Sequence, residues 1–195
     1  MNGLVYLFGH RKTVNDISSS LEFGIFVSAS DDKTCIIWDL RKPKYVKSVK
    51  TEFPAKQVCV SPTSGDFVVC SSPPVENNFS ALALFTINGN LVSSQKCEPP
   101  VDSITFSSSP EGIAVNVIAT GHRTTGVVRL WSSWDLTPVR DIDTKLPNYP
   151  IIALSFSFDN LNLFAATSNG DVVIFEKENV SGMQRPPKYL DLTEM

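Results

Sequence analysis

Two histidines, four cysteines and 20 acidic residues are the side chains with which this 195-residue chain could do chemistry. An imidazole beside a carboxylate is the usual pairing for general acid–base catalysis, and His10 with Asp32 is the pair to test. Cys35, Cys59, Cys70 and Cys97 contain no C-x-x-C, and with only His10 and His122 to join them they lack zinc-ligand spacing. They are expected as buried or half-buried reduced thiols in strands. A glycosidase would need clustered carboxylates and arginines for a substrate carboxylate. Asp31, Asp66, Asp171 and Glu176 instead stand at turns and strand ends, as solvated acids do. No phosphate-binding glycine loop or nucleophile elbow is present. The expectation is therefore no enzyme, no catalytic residue, no cofactor and no metal.

The elements that must position these side chains repeat along the chain. Short apolar runs end in an aromatic at Trp38, Phe85, Trp131 and Phe175, with gaps of 47, 46 and 44 residues. A second run precedes each: Phe26–Ser30, Val68–Ser72, Val117–Gly121 and Phe164–Ser168, each a bulky apolar pair followed by small residues. A third run comes earlier still: Asp16–Ser18, Cys59–Ser61, Thr105–Ser107 and Ser155–Ser157. A weaker run follows each aromatic, at Tyr45–Val49, Leu91–Gln95, Val139–Ile142 and Lys188–Leu192. These runs are rich in Val, Ile, Phe and Thr, and polar or Gly/Asp/Asn turns separate them, so each unit reads as four strands. Helical periodicity is absent. Four strands repeated at roughly 40–45 residues predict an all-β chain of β-propeller blades. The small residues of the second run suit inner strands crowded toward an axis. The four aromatics, Trp38, Phe85, Trp131 and Phe175, are expected in the blade core.

The first unit carries Gly9-His10, Ser28-Ala29-Ser30-Asp31-Asp32-Lys33-Thr34 and Trp38-Asp39. This resembles a WD repeat. The resemblance implies a hydrogen-bonded structural tetrad of His10, Ser28, Asp32 and Trp38, with Ser30 the alternative serine. In that tetrad His10 is a packing residue rather than a base, because a carboxylate orients its ring and the indole N–H finds an acceptor. The other units depart from the motif. Unit two has no Gly-His and ends in Phe85, unit three follows Trp131 with Ser132, and unit four ends Phe175-Glu176. His122 is read as a loop residue after the second strand, outside any tetrad.

Two further stretches, Pro110–Ala119 and Val127–Arg140, together with Thr34–Leu40 and Ile87–Val92, resemble the C-terminal propeller of BEACH-domain proteins. The resemblance implies a scaffold in vesicle and lysosome-related organelle trafficking. Its implied partners are proteins, together with the N-terminal blades and BEACH domain of a longer chain. The fold expected is a WD-repeat β-propeller of about four blades, a partial propeller. Residues 1–8 form the outer strand of a preceding blade, 9–50 the first blade, 51–97 the second, 98–145 the third and 146–180 the fourth. Residues 181–195 are a tail or the last outer strand. A WD adaptor of another complex, such as a ubiquitin-ligase substrate receptor, is the alternative.

The totals bound the rest. A charged fraction of 19% and a hydrophobic fraction of 42% exclude a disordered chain. A net charge of −3 gives no overall attraction to nucleic acid or to anionic membranes. No apolar run approaches the roughly 20 residues of a membrane span, and no basic segment leads a signal peptide. The reading from these totals is a cytoplasmic protein with no transmembrane association, and the resemblance to BEACH-domain proteins implies a place at the periphery of endosomal or lysosomal membranes. Ser71–Phe79 and Ser133–Pro138 are the insertions that could carry partner contacts.

Overall fold

The computed structural model describes residues 4–74, 78–107, 116–145 and 149–176. They hold fifteen strands and no helix. The first sheet is β1 (Val14–Ser20), β2 (Ile25–Ser30), β3 (Thr34–Asp39) and β4 (Lys44–Lys50). The second is β5 (Ala55–Val60), β6 (Phe67–Ser71), β7 (Ser80–Phe85) and β8 (Leu91–Cys97). The third is β9 (Val101–Phe106), β10 (Val117–His122), β11 (Val127–Ser132) and β12 (Pro138–Asp143). The fourth has three described strands, β13 (Ile151–Phe156), β14 (Asn162–Thr167) and β15 (Val172–Glu176). Every sheet is an antiparallel meander in chain order. Twelve strands fall on the three main apolar runs of each unit, and β4, β8 and β12 on the weaker fourth runs. Lys188–Leu192 lies outside the described residues.

The chain forms two compact units, one carrying the first two sheets and one the last two. In the first unit Val27, Ala29, Cys35, Ile37 and Val49 meet Ala55, Val58, Val60, Phe67, Val69 and Phe85 in one buried cluster. In the second, Ala119 and Val128 meet Ile151, Leu163 and Ala165. These residues lie on alternate positions of their strands, so each sheet gives one apolar face to its neighbour. The first strands also join sheets through polar atoms. The Val58 amide donates to Asp16 Oδ2 at 2.9 Å and the Val60 amide to Ser18 Oγ at 3.0 Å. Asn15 Nδ2 donates to the Ala55 carbonyl at 2.8 Å.

β-bulges recur at two places. Between first and second strands the register slips at Val14/Asp16, Ala55/Gln57, Gly121/His122 and Ile151/Ala153. The register between third and fourth strands slips at Ile37/Trp38, Leu84/Phe85 and Leu130/Trp131. One extra residue there re-aims the strand at its closing aromatic.

In the second strand of the third sheet, close packing keeps Gly121 small. A Cβ added to Gly121 would stand 2.4 Å from Ser103 Oγ and 2.6 Å from Ile151 Cγ2, the latter on the first strand of the next sheet. Gly121→Ala is expected to destabilise the second unit by about 1–3 kcal/mol, the usual cost of overpacking. Urea denaturation of the variant checks this, and a wild-type midpoint would show that Ile151 moves aside freely.

Cys35, Cys70 and Cys97 are buried and Cys59 is half-buried, all within strands. Burial, aided by the nearby carboxylates of Asp32 and Asp16, pushes the Cys35 thiol up to about 12. Only Cys59 is expected to react at an appreciable rate with a thiol reagent in the native protein, with all four reacting after denaturation. Counting thiols released with and without denaturant checks it.

Residues 4–8 belong to none of the sheets, and Leu4, Tyr6 and Phe8 are exposed. At the end of the first insertion Phe79 packs edge-on against Phe53, with ring centroids 5.6 Å apart. In the second, Trp134 is exposed at the tip of the turn while Leu136, at φ 57°, is buried. Residues 181–195 lie outside the described residues.

Candidate functional site

His10 stands in the segment leading to β1, Ser28 lies in the middle of β2, Asp32 in the turn after it, and Trp38 near the end of β3. The ladder places Ser28 opposite Ile36 and Phe26 opposite Trp38, so Ser28 and Trp38 share a face two positions apart. Trp38 Nε1 donates to Ser28 Oγ at 2.8 Å. Ser28 Oγ lies 2.7 Å from His10 Nε2, and His10 Nδ1 lies 3.0 Å from Asp32 Oδ2. The carboxylate can only accept, so Nδ1 carries a proton. Ser28 accepts from the indole and can donate to Nε2. A single ring proton therefore satisfies the whole chain from Trp38 to Asp32.

Asp32 is tied further. Thr34 donates to Oδ1 through its hydroxyl at 2.5 Å and its amide at 3.0 Å, and the Arg11 amide donates to Oδ2 at 2.8 Å. Burial alone would raise this carboxyl. The bonds from Thr34, Arg11 and His10 outweigh it and hold the group at about 2. The side chains of His10 and Asp32 are 6% and 9% exposed. Both ring nitrogens and both carboxylate oxygens face protein donors or acceptors, so this arrangement favours packing over proton transfer. Gly9 belongs to the same corner. A Cβ there would lie 2.8 Å from Ile36 Cδ1 and 3.1 Å from Trp38 Cη2. Phe26 stacks on Trp38 at 5.8 Å, and Tyr45 meets it edge-on at 6.3 Å.

The third sheet has a related arrangement that sequence reasoning missed. His122 is not a loop residue. It is the last residue of β10 and is buried. Trp131 Nε1 donates to Thr120 Oγ1 at 2.9 Å, and that hydroxyl lies 3.2 Å from His122 Nε2. Thr120 pairs with Arg129, two residues before Trp131, as Ser28 pairs with Ile36, two before Trp38. The hydroxyl keeps its place and the histidine comes from the same strand rather than from the segment before the sheet. The signal was a hydroxyl residue 11 positions before the tryptophan, against 10 in the first sheet.

Of the other aromatics, Trp131 and Phe85 are buried, and Phe85 stacks on Phe67 at 5.2 Å. Phe175 is half-buried against the cluster of the second unit. Of the four acids weighed for glycosidase chemistry, Glu176 ends β15 and the other three have local or cross-sheet partners. Asp31 pairs with Lys56 at 2.7 Å, Asp66 accepts the Ile87 amide at 2.9 Å, and Asp171 accepts from Asn169 Nδ2 at 2.6 Å. Among the described residues no three His, Cys, Asp or Glu side chains are grouped to hold a metal ion.

Antiparallel meanders of four strands, with a Gly-His, a serine, a turn aspartate and a strand-closing tryptophan bonded in sequence, describe WD-repeat blades. Residues 3–39 match the family model described as WD domain, G-beta repeat, and the chain belongs to the WD-repeat proteins of β-propeller fold. Its closer likeness is to one group of them. It is 40% identical over 191 residues to the lysosomal-trafficking regulator of Homo sapiens, which covers 97% of this chain and 5% of that relative. It is 26% identical over 147 residues to BEACH domain-containing protein A2 of Arabidopsis thaliana, covering 73% of this chain and 4% of the relative. The chain thus spans a small part of the length of the curated relatives it matches. A solved structure, the computationally designed Ika4 protein, superposes with a TM-score of 0.61 at 16% identity, covering 90% of this chain and 98% of that one. At that identity the likeness is one of fold.

Proposed function

We propose that this chain is a protein-interaction module of a scaffold acting in vesicle and lysosome-related organelle trafficking, and that it is not an enzyme. The observation that carries this reading is the 40% identity to the human lysosomal-trafficking regulator across 97% of the chain. The geometry supports it. The polar groups best suited to chemistry, His10 and Asp32, are engaged by neighbouring residues inside a sheet. Ser28, Trp38, His10 and Asp32 act as a structural tetrad that holds the segment before β1 against the turn after β2. Phe85, Trp131 and Phe175 act as blade-core aromatics. The module needs no cofactor. Its partners are proteins, and it works beside further blades and a BEACH domain, in the cytoplasm and at the periphery of endosomal or lysosomal membranes.

The test is a graft. The matching segment of the human regulator is replaced by this chain and expressed in cells lacking the regulator, and lysosome size and number are scored. Restoration to the level given by the unaltered regulator is expected. A graft that is expressed at normal levels but restores nothing would overturn the assignment to this trafficking role.

A further inference from the structure

The net charge of −3 is the sum of two unlike parts. The ten residues Arg41–Lys50 hold five of the 17 basic residues, Arg41, Lys42, Lys44, Lys47 and Lys50, and none of the 20 acidic ones. The stretch is therefore +5 and the remainder −8. Structurally it is the turn between β3 and β4 followed by β4, the outer edge strand of the first sheet. All five basic residues are exposed. None of them forms an ion pair among the described residues. Lys47 Nζ reaches only a carbonyl, that of Asn88, at 2.8 Å. Two acids flank the stretch, Asp39 before it and Glu52 after it. Asp39, opposite Lys44 in the ladder, accepts the backbone amides of Arg41 at 2.8 Å and Lys42 at 3.1 Å.

Lysines on an edge strand can serve simply to block sheet-to-sheet aggregation. The other outer strands show how little charge that needs. β8 has one basic residue, Lys96, and β12 has Arg140 followed by Asp141 and Asp143. The first sheet's edge carries far more. It also exposes Tyr45 and Val46, each at 52%, in the middle of the basic run. An aromatic with a polar tip and an apolar neighbour, flanked by cations, suits the headgroup layer of a bilayer. Four of the five cations are lysines, which act as mobile point charges toward a diffuse anionic surface rather than as bidentate forks for one defined phosphate.

We propose that the Arg41–Lys50 edge is a membrane-docking surface for bilayers rich in anionic phospholipid. Each lysine near such a surface strengthens binding several-fold, and the attraction falls off within a Debye length. The reading does not depend on the trafficking assignment, which concerns protein partners.

The experiment is co-flotation of the 195-residue chain with vesicles of phosphatidylcholine alone and with vesicles containing about one third phosphatidylserine. Binding to the anionic vesicles only, abolished by high salt, is expected. The variant Lys42→Glu/Lys44→Glu/Lys50→Glu should weaken it on the order of 100-fold. Lys42→Gln/Lys44→Gln/Lys50→Gln removes charge without adding repulsion and keeps the test valid should the reversed variant fold poorly. Equal binding to both vesicle types, no binding to either at low salt, or unchanged binding by the glutamine variant would each overturn the proposal. So would tight binding to RNA or to an acidic peptide with no vesicle binding.

Discussion

Replacing Trp38 with alanine is expected to cost about 3–5 kcal/mol, the range for deleting a buried large aromatic. That is a large share of the roughly 5–15 kcal/mol by which a domain is stable. Trp38 is 4% exposed, stacks on Phe26 and meets Tyr45 edge-on, so its removal leaves a void that three strands line. It also takes the indole N–H from Ser28. Trp38→Phe separates the two losses. A phenyl ring keeps most of the apolar contact and gives up the hydrogen bond, which costs about 1–2 kcal/mol, together with the far edge of the indole beside Gly9. The chain itself places Phe85 and Phe175 at the corresponding ends of β7 and β15. Urea denaturation followed by circular dichroism gives both values. If phenylalanine is as damaging as alanine, the indole bond rather than packing holds this corner. If alanine costs under about 1 kcal/mol, Trp38 is not part of the core.

The strands were legible because a propeller blade is written in period-2 alternation and β-branched residues, and neither depends on distant contacts. The first tetrad was legible because Gly9-His10, Asp32 and Trp38-Asp39 are motif residues whose spacing is set by one sheet. What escaped depends on contacts or on local averages. His122 was read against a motif that places histidine before the first strand, whereas β10 delivers it from its own end to the same hydroxyl position. The bonds from the Val58 and Val60 amides to Asp16 and Ser18 cross between sheets, and nothing in either strand marks which face meets which. The two contacts that keep Gly121 small come from Ser103 and from Ile151, 30 residues away, and neither is marked in β10 itself. The basic edge was hidden by summation, since a net charge says nothing of where charges lie.

The same distinction between local motif and buried environment sets the acid sensitivity of the first sheet. Asp32 is held at about 2 in the folded protein, against 3.8 for an unperturbed aspartate. A depressed carboxyl contributes stability that is complete above the unfolded value and is lost as pH falls through the folded one. Between about pH 4 and pH 2 the unfolded chain takes up this proton and the folded chain resists it, so stability must fall across that window. The shift corresponds to up to about 2 kcal/mol at neutral pH. Asp32→Asn keeps the shape and removes the charge, leaving the Thr34 hydroxyl, the Arg11 amide and His10 with a weaker acceptor. The variant is expected to be less stable than wild type near pH 7, by the pH-dependent part and by whatever the poorer hydrogen bonds add. The gap should then narrow by about 2 kcal/mol as pH is lowered to about 2. The half-buried Asp31 and Asp39 and the exposed Asp159 are also lowered, but solvent screens them and both proteins share them, so they cancel in the difference. Parallel urea titrations of the two proteins at several pH values measure that gap. A gap that stays constant from neutral pH to about pH 2 would mean that Asp32 supports the tetrad by its shape and not by its charge.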